Sequence, residues 1–243
     1  MTYQMTNILA IDCAFSRLQL GLSHGDNIRL RELGEVRNHS RRLLDQIDRL
    51  MSEAKVSPEQ LNAIAFGQGP GSFTGLRIAV GVVQGLAYGL EIPVIPIPSM
   101  GVIATRVFRD YSVDRVTVAL HARADEVYLA RFQCGDNFFP VQVGHYEVGC
   151  VKDFAIPIEH CEILAGSGAN TFAEFAPEYF SAFDQAAIAA QSTMGDLIEL
   201  ASACFFLTGN IGSITAYFAP QLDSTDELES TFRNRILLAV SLI

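Results

Sequence analysis

Positively charged side chains are scarce in this sequence. Lysine and arginine together number 17, against 27 aspartate and glutamate residues, so the formal net charge is −10. Nucleic-acid binding draws much of its affinity from clustered Lys and Arg side chains that contact phosphates. The composition therefore disfavours nucleic-acid binding by the chain alone, and any role with RNA would need a more basic partner.

Paired cysteines and long apolar runs are missing as well. The five cysteines are odd in number and form no C-x-x-C motif, which argues against a disulfide framework or a zinc ribbon. The uninterrupted apolar stretches are shorter than a bilayer span, and the polar start of the chain does not resemble a signal peptide. We expect a reduced, soluble, cytoplasmic protein without membrane contact. Its 243 residues suffice for one large domain or two small ones.

Neither of the two common phosphate-binding loops is present. The glycine-rich segment at 67–77, GQGPGSFTGLR, follows an apolar run and precedes a helical pattern. A Walker A loop needs Lys and then Ser or Thr after its last glycine, where this chain has Leu76 and Arg77. The dinucleotide fingerprint Gly-x-Gly-x-x-Gly does not fit either, because three residues instead of two separate Gly71 from Gly75. So many glycines indicate a close backbone approach or an anion cradle at a helix N-terminus, and nothing identifies a nucleotide.

The order of hydrophobic patterns predicts an α/β arrangement that occurs twice. The first set comprises strands at 6–12, 15–23 and 28–36, a helix over 40–55, a strand at 62–66, a helix over 75–90, a strand at 93–97 and a helix that Ser99 caps. The second set comprises strands at 114–120, 127–134, 138–148 and 162–165, with helices near 170–176 and 194–208. The repeated order predicts two related subdomains.

No complete catalytic or metal-binding set is evident. No two of the five histidines have the i, i+4 spacing of a helical metal site, and H-E-x-x-H is absent. Two alternatives stay open. A zinc site would need His145, Cys150, His160 and Cys161, which lack paired short spacings. A hydrolase or peptidase would use Ser72 or Thr74, although Ser72 does not lie in a G-x-S-x-G elbow.

The second predicted helix carries a stripe of glycines. Gly81, Gly85 and Gly89 are spaced by four, and each costs about 1 kcal/mol of helix stability relative to Ala. Such a stripe indicates that another backbone passes closely, either from the chain's own sheet or from a partner. We favour a partner, because the helix already presents a separate apolar stripe to the sheet, namely Ile78, Val82 and Leu86.

The segment GPGSFTGLRI at 69–78 resembles the signature of the bacterial TsaB family, also called YeaZ. Agreement extends to ILAID at 8–12, to His39-Ser40 with Leu43, and to DEVY at 125–128, so the resemblance covers roughly residues 6–218. The resemblance implies an α/β fold of two actin-like subdomains (ASKHA superfamily, RNase H-like) at 1–110 and 111–218. A divergent tail at 219–243 lacks the Pro-x-Tyr-x-Arg ending that is common in the family. The signature loop comprises Gly69, Pro70, Gly71, Ser72, Phe73, Thr74 and Gly75.

The resemblance also implies a role without catalysis. Family members act with TsaD to form N6-threonylcarbamoyladenosine at position 37 of tRNAs that read ANN codons, with TsaE as the ATPase and TsaC as the supplier of threonylcarbamoyl-adenylate. The expected partners are TsaD, TsaE through the TsaB–TsaD complex, and a second copy of the chain as a homodimer. Transfer RNA is reached only through the complex. The chain would be a pseudo-enzyme subunit without a cofactor, and ATP and metal would bind to the partners.

Particular residues receive roles from the same resemblance. Superfamily kinases hold nucleotide near carboxylates at two strand ends. Here Asp12 ends the first strand, but His121 stands where a second Asp is usual, and Gly166 and Gly168 take the place of adenosine-binding glycines. A vestigial cleft is implied, with a structural turn as the alternative role of Asp12. The implied partner interface comprises Leu43, Leu44, Ile47, Leu50, Met51, Arg77, Gly81, Gly85 and Tyr88.

Overall fold

The structure is a computed structural model that describes residues 6–15, 17–33, 39–154, 163–183, 185–187 and 192–208. The chain divides into two compact units. One unit is Met1–Ile97 together with Leu197–Ile243, and the other is Pro98–Asp196. Each unit contains a five-stranded sheet.

The sheet of the first unit has the strand order β3-β2-β1-β4-β5. Its strands are β1 (Asn7–Asp12), β2 (Leu18–His24), β3 (Asn27–Leu33), β4 (Ala63–Gly69) and β5 (Val94–Pro98). β1 runs antiparallel to β2 and parallel to β4. Short turns suffice for the antiparallel strands, whereas the parallel strand β4 requires a crossover, which includes helix α1 (His39–Ala54).

One face of this sheet packs against α1 and α2 (Phe73–Leu90). Alternate residues of β1, Leu9 and Ile11, join a core with Leu43, Ile47, Leu50 and Met51 of α1 and with Ala79, Val80, Val83 and Ala87 of α2. The buried residues of α2 include the positions that directly follow the three predicted stripe residues. Ile78, Val82 and Leu86 also pack against this core, but they are only partly buried.

By length and composition alone, α2 is the one helix among the described residues that would reach across a membrane, and 33% of it is buried in the structure. Core helices of soluble proteins satisfy the same criteria. The match is weak evidence for a membrane segment.

The sheet of the second unit has the order β10-β9-β6-β7-β8, which repeats the first sheet strand for strand. Its strands are β6 (Arg115–Arg123), β7 (Glu126–Cys134), β8 (Pro140–Cys150), β9 (Ile163–Ala165) and β10 (Gln185–Ala187). β6 is antiparallel to β7 and parallel to β9. The remaining helices are α3 (Ser99–Tyr111), α4 (Gly168–Phe175), α5 (Pro177–Phe180) and α6 (Met194–Thr208). The predicted α/β class is confirmed, and the two units share one sheet order.

Two details of the sequence prediction were wrong. Ser99 is the first residue of α3 and not its cap; the cap position is Pro98, which provides no side-chain hydrogen bond. α2 begins at Phe73, two residues before the predicted start, because Ser72 caps it. The short elements β10 and α5 were not predicted.

The division into units differs from the predicted subdomains 1–110 and 111–218. α3 belongs to the second unit, because it packs against β6, β7 and β8. The described residues of α6 from Leu197 onward group with the first unit. The predicted tail at 219–243 lies outside the described residues.

Candidate functional site

The glycines of the signature loop press against the turn that follows β1. A Cβ atom built on Gly71 would lie 2.2 Å from the carbonyl oxygen of Ala14, and one on Gly75 would lie 2.0 Å from that of Cys13. The backbone N–H of Ser72 donates a hydrogen bond to the Ala14 oxygen at 2.6 Å. No side chain fits at either glycine. The close backbone approach that glycine permits accounts for these two residues of the loop.

Asp12 is part of the same contact. Its side chain is buried, its Oδ1 accepts a hydrogen bond from the backbone N–H of Ala14 at 2.8 Å, and a Cβ on Gly67 would lie 2.5 Å from that oxygen. Burial and, secondarily, the Asp12 carboxylate raise the pKa of the neighbouring Cys13 thiol to about 12. These contacts support the structural turn role of Asp12.

Ser72 has a structural partner as well. Its Oγ accepts a hydrogen bond from the backbone N–H of Gly75 at 3.3 Å, which caps α2. Two histidine rings have partners elsewhere: Nδ1 of His24 lies 2.7 Å from Oδ1 of Asn7, and Nδ1 of His121 lies 3.1 Å from Oγ1 of Thr171. The described contacts therefore give Ser72 a cap and show no base beside it.

The second unit repeats this arrangement of glycines at its own first strand. Gly166 has φ +92°, and a Cβ on it would lie 2.5 Å from the Ala119 oxygen of β6; the corresponding contact of Gly168 is 2.8 Å, to the Ala119 carbonyl carbon. The backbone N–H of His121 donates to Oγ of Ser167 at 3.1 Å. The turn that follows β9 therefore packs against the end of β6 and is hydrogen-bonded to it. Asp12 and His121 lie in different units, and the vestigial cleft stays a prediction.

The side of α2 away from the sheet is open. Gly81, Gly85 and Gly89 have nothing among the described residues within 4 Å of a built Cβ atom. Tyr88 beside them is 90% exposed, and the Arg77 guanidinium stacks 3.8 Å above the ring of Phe73. We call this surface the α2 face; it consists of Phe73, Arg77, Gly81, Gly85, Tyr88 and Gly89. The chain's own sheet does not explain the glycine stripe.

The nine predicted interface residues separate into two groups. Arg77, Gly81, Gly85 and Tyr88 belong to the α2 face, and Leu44 is exposed on α1. The other four are core side chains of the first unit, namely Leu43, Ile47, Leu50 and Met51. An interface role for these four needs correction, because they already pack against the sheet. The sequence pattern did not include Phe73 in the interface. Its exposure became evident only from the structure.

A metal site is not apparent in the part of the chain that the structure describes. No group of three or more His, Cys, Asp or Glu side chains there is placed to hold a metal ion. His145 and Cys150 of the zinc alternative lie on β8, while His160 and Cys161 lie outside the described residues. That alternative is therefore untested.

Comparison with known proteins places this geometry in a family. Residues 35–145 match the family described as "TsaD: tRNA N6-adenosine threonylcarbamoyltransferase". The crystal structure described as "YeaZ from Pseudomonas aeruginosa" superposes with a TM-score of 0.75 at 32% identity, and the match covers 84% of this chain and 94% of that one. The chain belongs to the TsaB (YeaZ) family.

Curated TsaB proteins agree with this assignment. The chain is 36% identical to the "tRNA threonylcarbamoyladenosine biosynthesis protein TsaB" of Haemophilus influenzae over 129 residues, which is 53% of this chain and 54% of that protein. The Escherichia coli protein of the same name is 36% identical over 130 residues, or 54% of this chain and 56% of that one. The aligned part of the chain spans about half the length of these curated relatives.

Proposed function

We propose that this chain takes part in the biosynthesis of N6-threonylcarbamoyladenosine in tRNA as a non-catalytic partner of TsaD. The names of its TsaB relatives support the pathway, and the match to the TsaD family supports a shared ancestry with the transferase. In this proposal the chain is a cytoplasmic scaffold and activator that binds TsaD, TsaE through the TsaB–TsaD complex, and a second copy of itself.

The α2 face is the observation that carries the proposal. Each of the three glycines lowers helix stability by about 1 kcal/mol relative to Ala, and no described residue packs against them. A partner helix that lies close to α2 would explain them, because glycine lets two helix backbones approach closely. Tyr88 supplies an exposed aromatic anchor, the kind of residue that contributes strongly to interfaces.

A non-catalytic role agrees with how the chain uses its own polar groups. The signature-loop glycines contact the turn after β1, and the Asp12 carboxylate accepts the backbone N–H of Ala14. We therefore propose that ATP and metal bind to the partner proteins. The net charge of −10 supports a tRNA contact that is made through the complex. Calorimetry with Mg-ATP that gives a micromolar dissociation constant for the isolated chain would contradict this part of the proposal.

The alternative is a hydrolase or peptidase. One Pseudomonas aeruginosa relative, 32% identical, is described as a protein "with similarity to peptidase YEAZ". The cap that Ser72 provides to α2 weighs against this alternative. Peptidase activity that disappears in Ser72→Ala, while the variant keeps its melting temperature, would favour it.

The decisive experiment is reconstitution. The chain is mixed with TsaD, TsaE, TsaC, ATP, threonine, bicarbonate and unmodified tRNA, and modification is measured with and without it. We expect co-purification with TsaD and modification that depends on the chain. Full modification in its absence, or failure to bind TsaD, would contradict the proposal.

A further inference from the structure

The β7–β8 hairpin of the second unit carries an arginine without a counter-ion. Arg131 is half-buried, and its Nε atom is buried with no hydrogen-bond partner. None of the ion pairs among the described residues includes its guanidinium. A carboxylate is the group whose geometry best matches a guanidinium. Arg131 therefore lacks an acceptor that a bound carboxylate would supply.

Exposed apolar side chains lie beside Arg131 on the same face of the sheet. Val143 is directly opposite Arg131 in the strand register. Val141 pairs with Gln133 two residues further along, so all four side chains share one face. Val141 and Val143 are 47% and 48% exposed, whereas Leu129 on the same face is part of the buried core. An open patch of apolar and cationic character thus continues the face beyond this core.

The backbone of β8 adds a second way to bind a partner. β8 is the last strand of the second sheet, and no described strand pairs with its outer edge. An unpaired edge of this kind can accept an extended peptide as an additional strand. Gly144, with φ 75°, begins an irregularity in the register, so the regular stretch next to Arg131 is 140–143. A strand added there would lie roughly 10 Å from β7, which an arginine and a glutamate side chain together can span.

The turn between β7 and β8 presents an exposed aromatic ring. The N–H of Phe139 donates to the Asp136 oxygen at 3.1 Å, and the intervening Asn137 and Phe138 have φ 53° and 62°. Two left-handed central residues are typical of a type I′ turn, in which Asn-Gly is the preferred pair. Phe138 thus occupies a position that favours glycine, although its side chain is 41% exposed. Backbone strain of this kind clusters at binding sites, so the ring indicates a contact with another molecule.

We propose that the β7–β8 hairpin binds an extended, acidic segment of a protein partner. The segment pairs with the outer edge of β8 at 140–143, directs a carboxylate to Arg131 and contacts the exposed Val141, Val143 and Phe138 side chains. We call these residues, together with Gln133, the hairpin surface. The net charge of −10 disfavours a nucleic-acid phosphate as the anion, and the exposed apolar side chains favour a peptide.

The test uses two blocked peptides as probes, VTETV and VTQTV, in an NMR titration of the full-length ¹⁵N-labelled chain. We expect VTETV to shift the amide signals of the hairpin surface and to bind about 5- to 30-fold more tightly than VTQTV. Arg131→Gln should remove this difference. Arg123→Gln is the matched control, because Arg123 is exposed and paired with Glu126, and it should keep the difference.

Two further variants separate binding from folding. Arg131→Met should melt at or above the wild-type temperature, since no internal partner of Arg131 is lost. Phe138→Gly should also melt higher, because it creates the preferred Asn-Gly turn, and it should weaken both peptides alike. A large loss of thermal stability in Arg131→Met would make Arg131 a structural residue and overturn the inference.

Other outcomes would overturn it as well. Equal affinities of the two peptides, or the same loss in Arg123→Gln as in Arg131→Gln, would exclude a carboxylate site at Arg131. Sedimentation that shows a dimer lost in Arg131→Gln would assign the surface to a second copy of the chain. A ten-nucleotide RNA that binds wild type but not Arg131→Gln would assign it to phosphate. Neither TsaD nor tRNA enters this test, so its failure and that of the proposed function are distinguishable.

Discussion

Replacing Gly85 by leucine distinguishes a partner surface from internal packing. A Cβ atom on Gly85 meets nothing within 4 Å among the described residues, so the single chain has room for a larger side chain there. A partner helix that approaches the α2 face closely would have no such room. Gly85→Leu should therefore spare the fold and damage the complex with TsaD.

Gly85→Leu should leave the stability of the single chain unchanged or raise it slightly, and it should lower the affinity for TsaD. In the single chain, replacing a helical glycine by leucine removes a helix-propensity cost of about 1 kcal/mol. A change of this size shifts the melting temperature of a chain of this length by about 2–4 °C, so the variant should melt at the wild-type temperature or slightly above it. At an interface, overpacking costs about 1–3 kcal/mol, which weakens binding roughly 5- to 150-fold.

Circular-dichroism melting, size-exclusion chromatography with TsaD and the tRNA modification assay measure these effects on one variant. Gly85→Ala is the matched control, because it makes a similar propensity gain with a much smaller side chain; its affinity for TsaD should fall less. The reasoning is refuted if Gly85→Leu melts well below wild type while its folded fraction binds TsaD normally.

Three further outcomes are expected. Gly75→Ala should lower the free energy of unfolding in urea by about 1–3 kcal/mol or more, since its Cβ would lie 2.0 Å from the Cys13 oxygen; an unchanged value would contradict that contact. Burial raises the pKa of the Cys13 and Cys204 thiols to about 12, so at pH 8 only about one thiol in 10⁴ is ionised. A thiol reagent should therefore label both cysteines only when the protein unfolds. Asp196→Ala should lower the free energy of unfolding in urea by about 1–3 kcal/mol, because buried Asp196 accepts a hydrogen bond from Arg109 at 2.6 Å; an unchanged value would contradict this contribution.

Sequence patterns predicted the long elements well and the short ones poorly. Leu18, Leu20 and Leu22 alternate with less buried or polar residues over enough positions to predict β2, and the heptad-like apolar spacing of α1 predicts a helix. β10 has three residues, too few for any period, and its strand state depends on pairing with β9. The placement of α3 in the second unit likewise depends on long-range packing against β6 that no local pattern encodes.

The candidate interface shows a second limit of sequence patterns. An apolar stripe on a helix predicts burial but does not say whether a sheet or a partner buries it, because both surfaces are apolar. Leu43 and Leu50 were therefore assigned to a partner, although they pack inside the first unit. The glycines are a separate indicator, and their role at a partner surface stays a prediction. Gly81, Gly85 and Gly89 have no internal contact among the described residues that would explain the stripe.

The signature loop itself is explained without a ligand. Gly71 and Gly75 are required by the carbonyl oxygens of Ala14 and Cys13, and the Gly166 turn has the same relation to Ala119 of β6. Each unit thus uses glycines after a parallel strand to seat the following helix against the end of its first strand. Because these glycines serve packing in both units, their presence does not by itself indicate a phosphate site. On the solvent side of α2, the helix that the signature loop begins, Phe73, Arg77 and the glycine stripe are exposed. The loop fixes where α2 starts, and that start determines which residues of α2 face solvent and form the proposed partner surface.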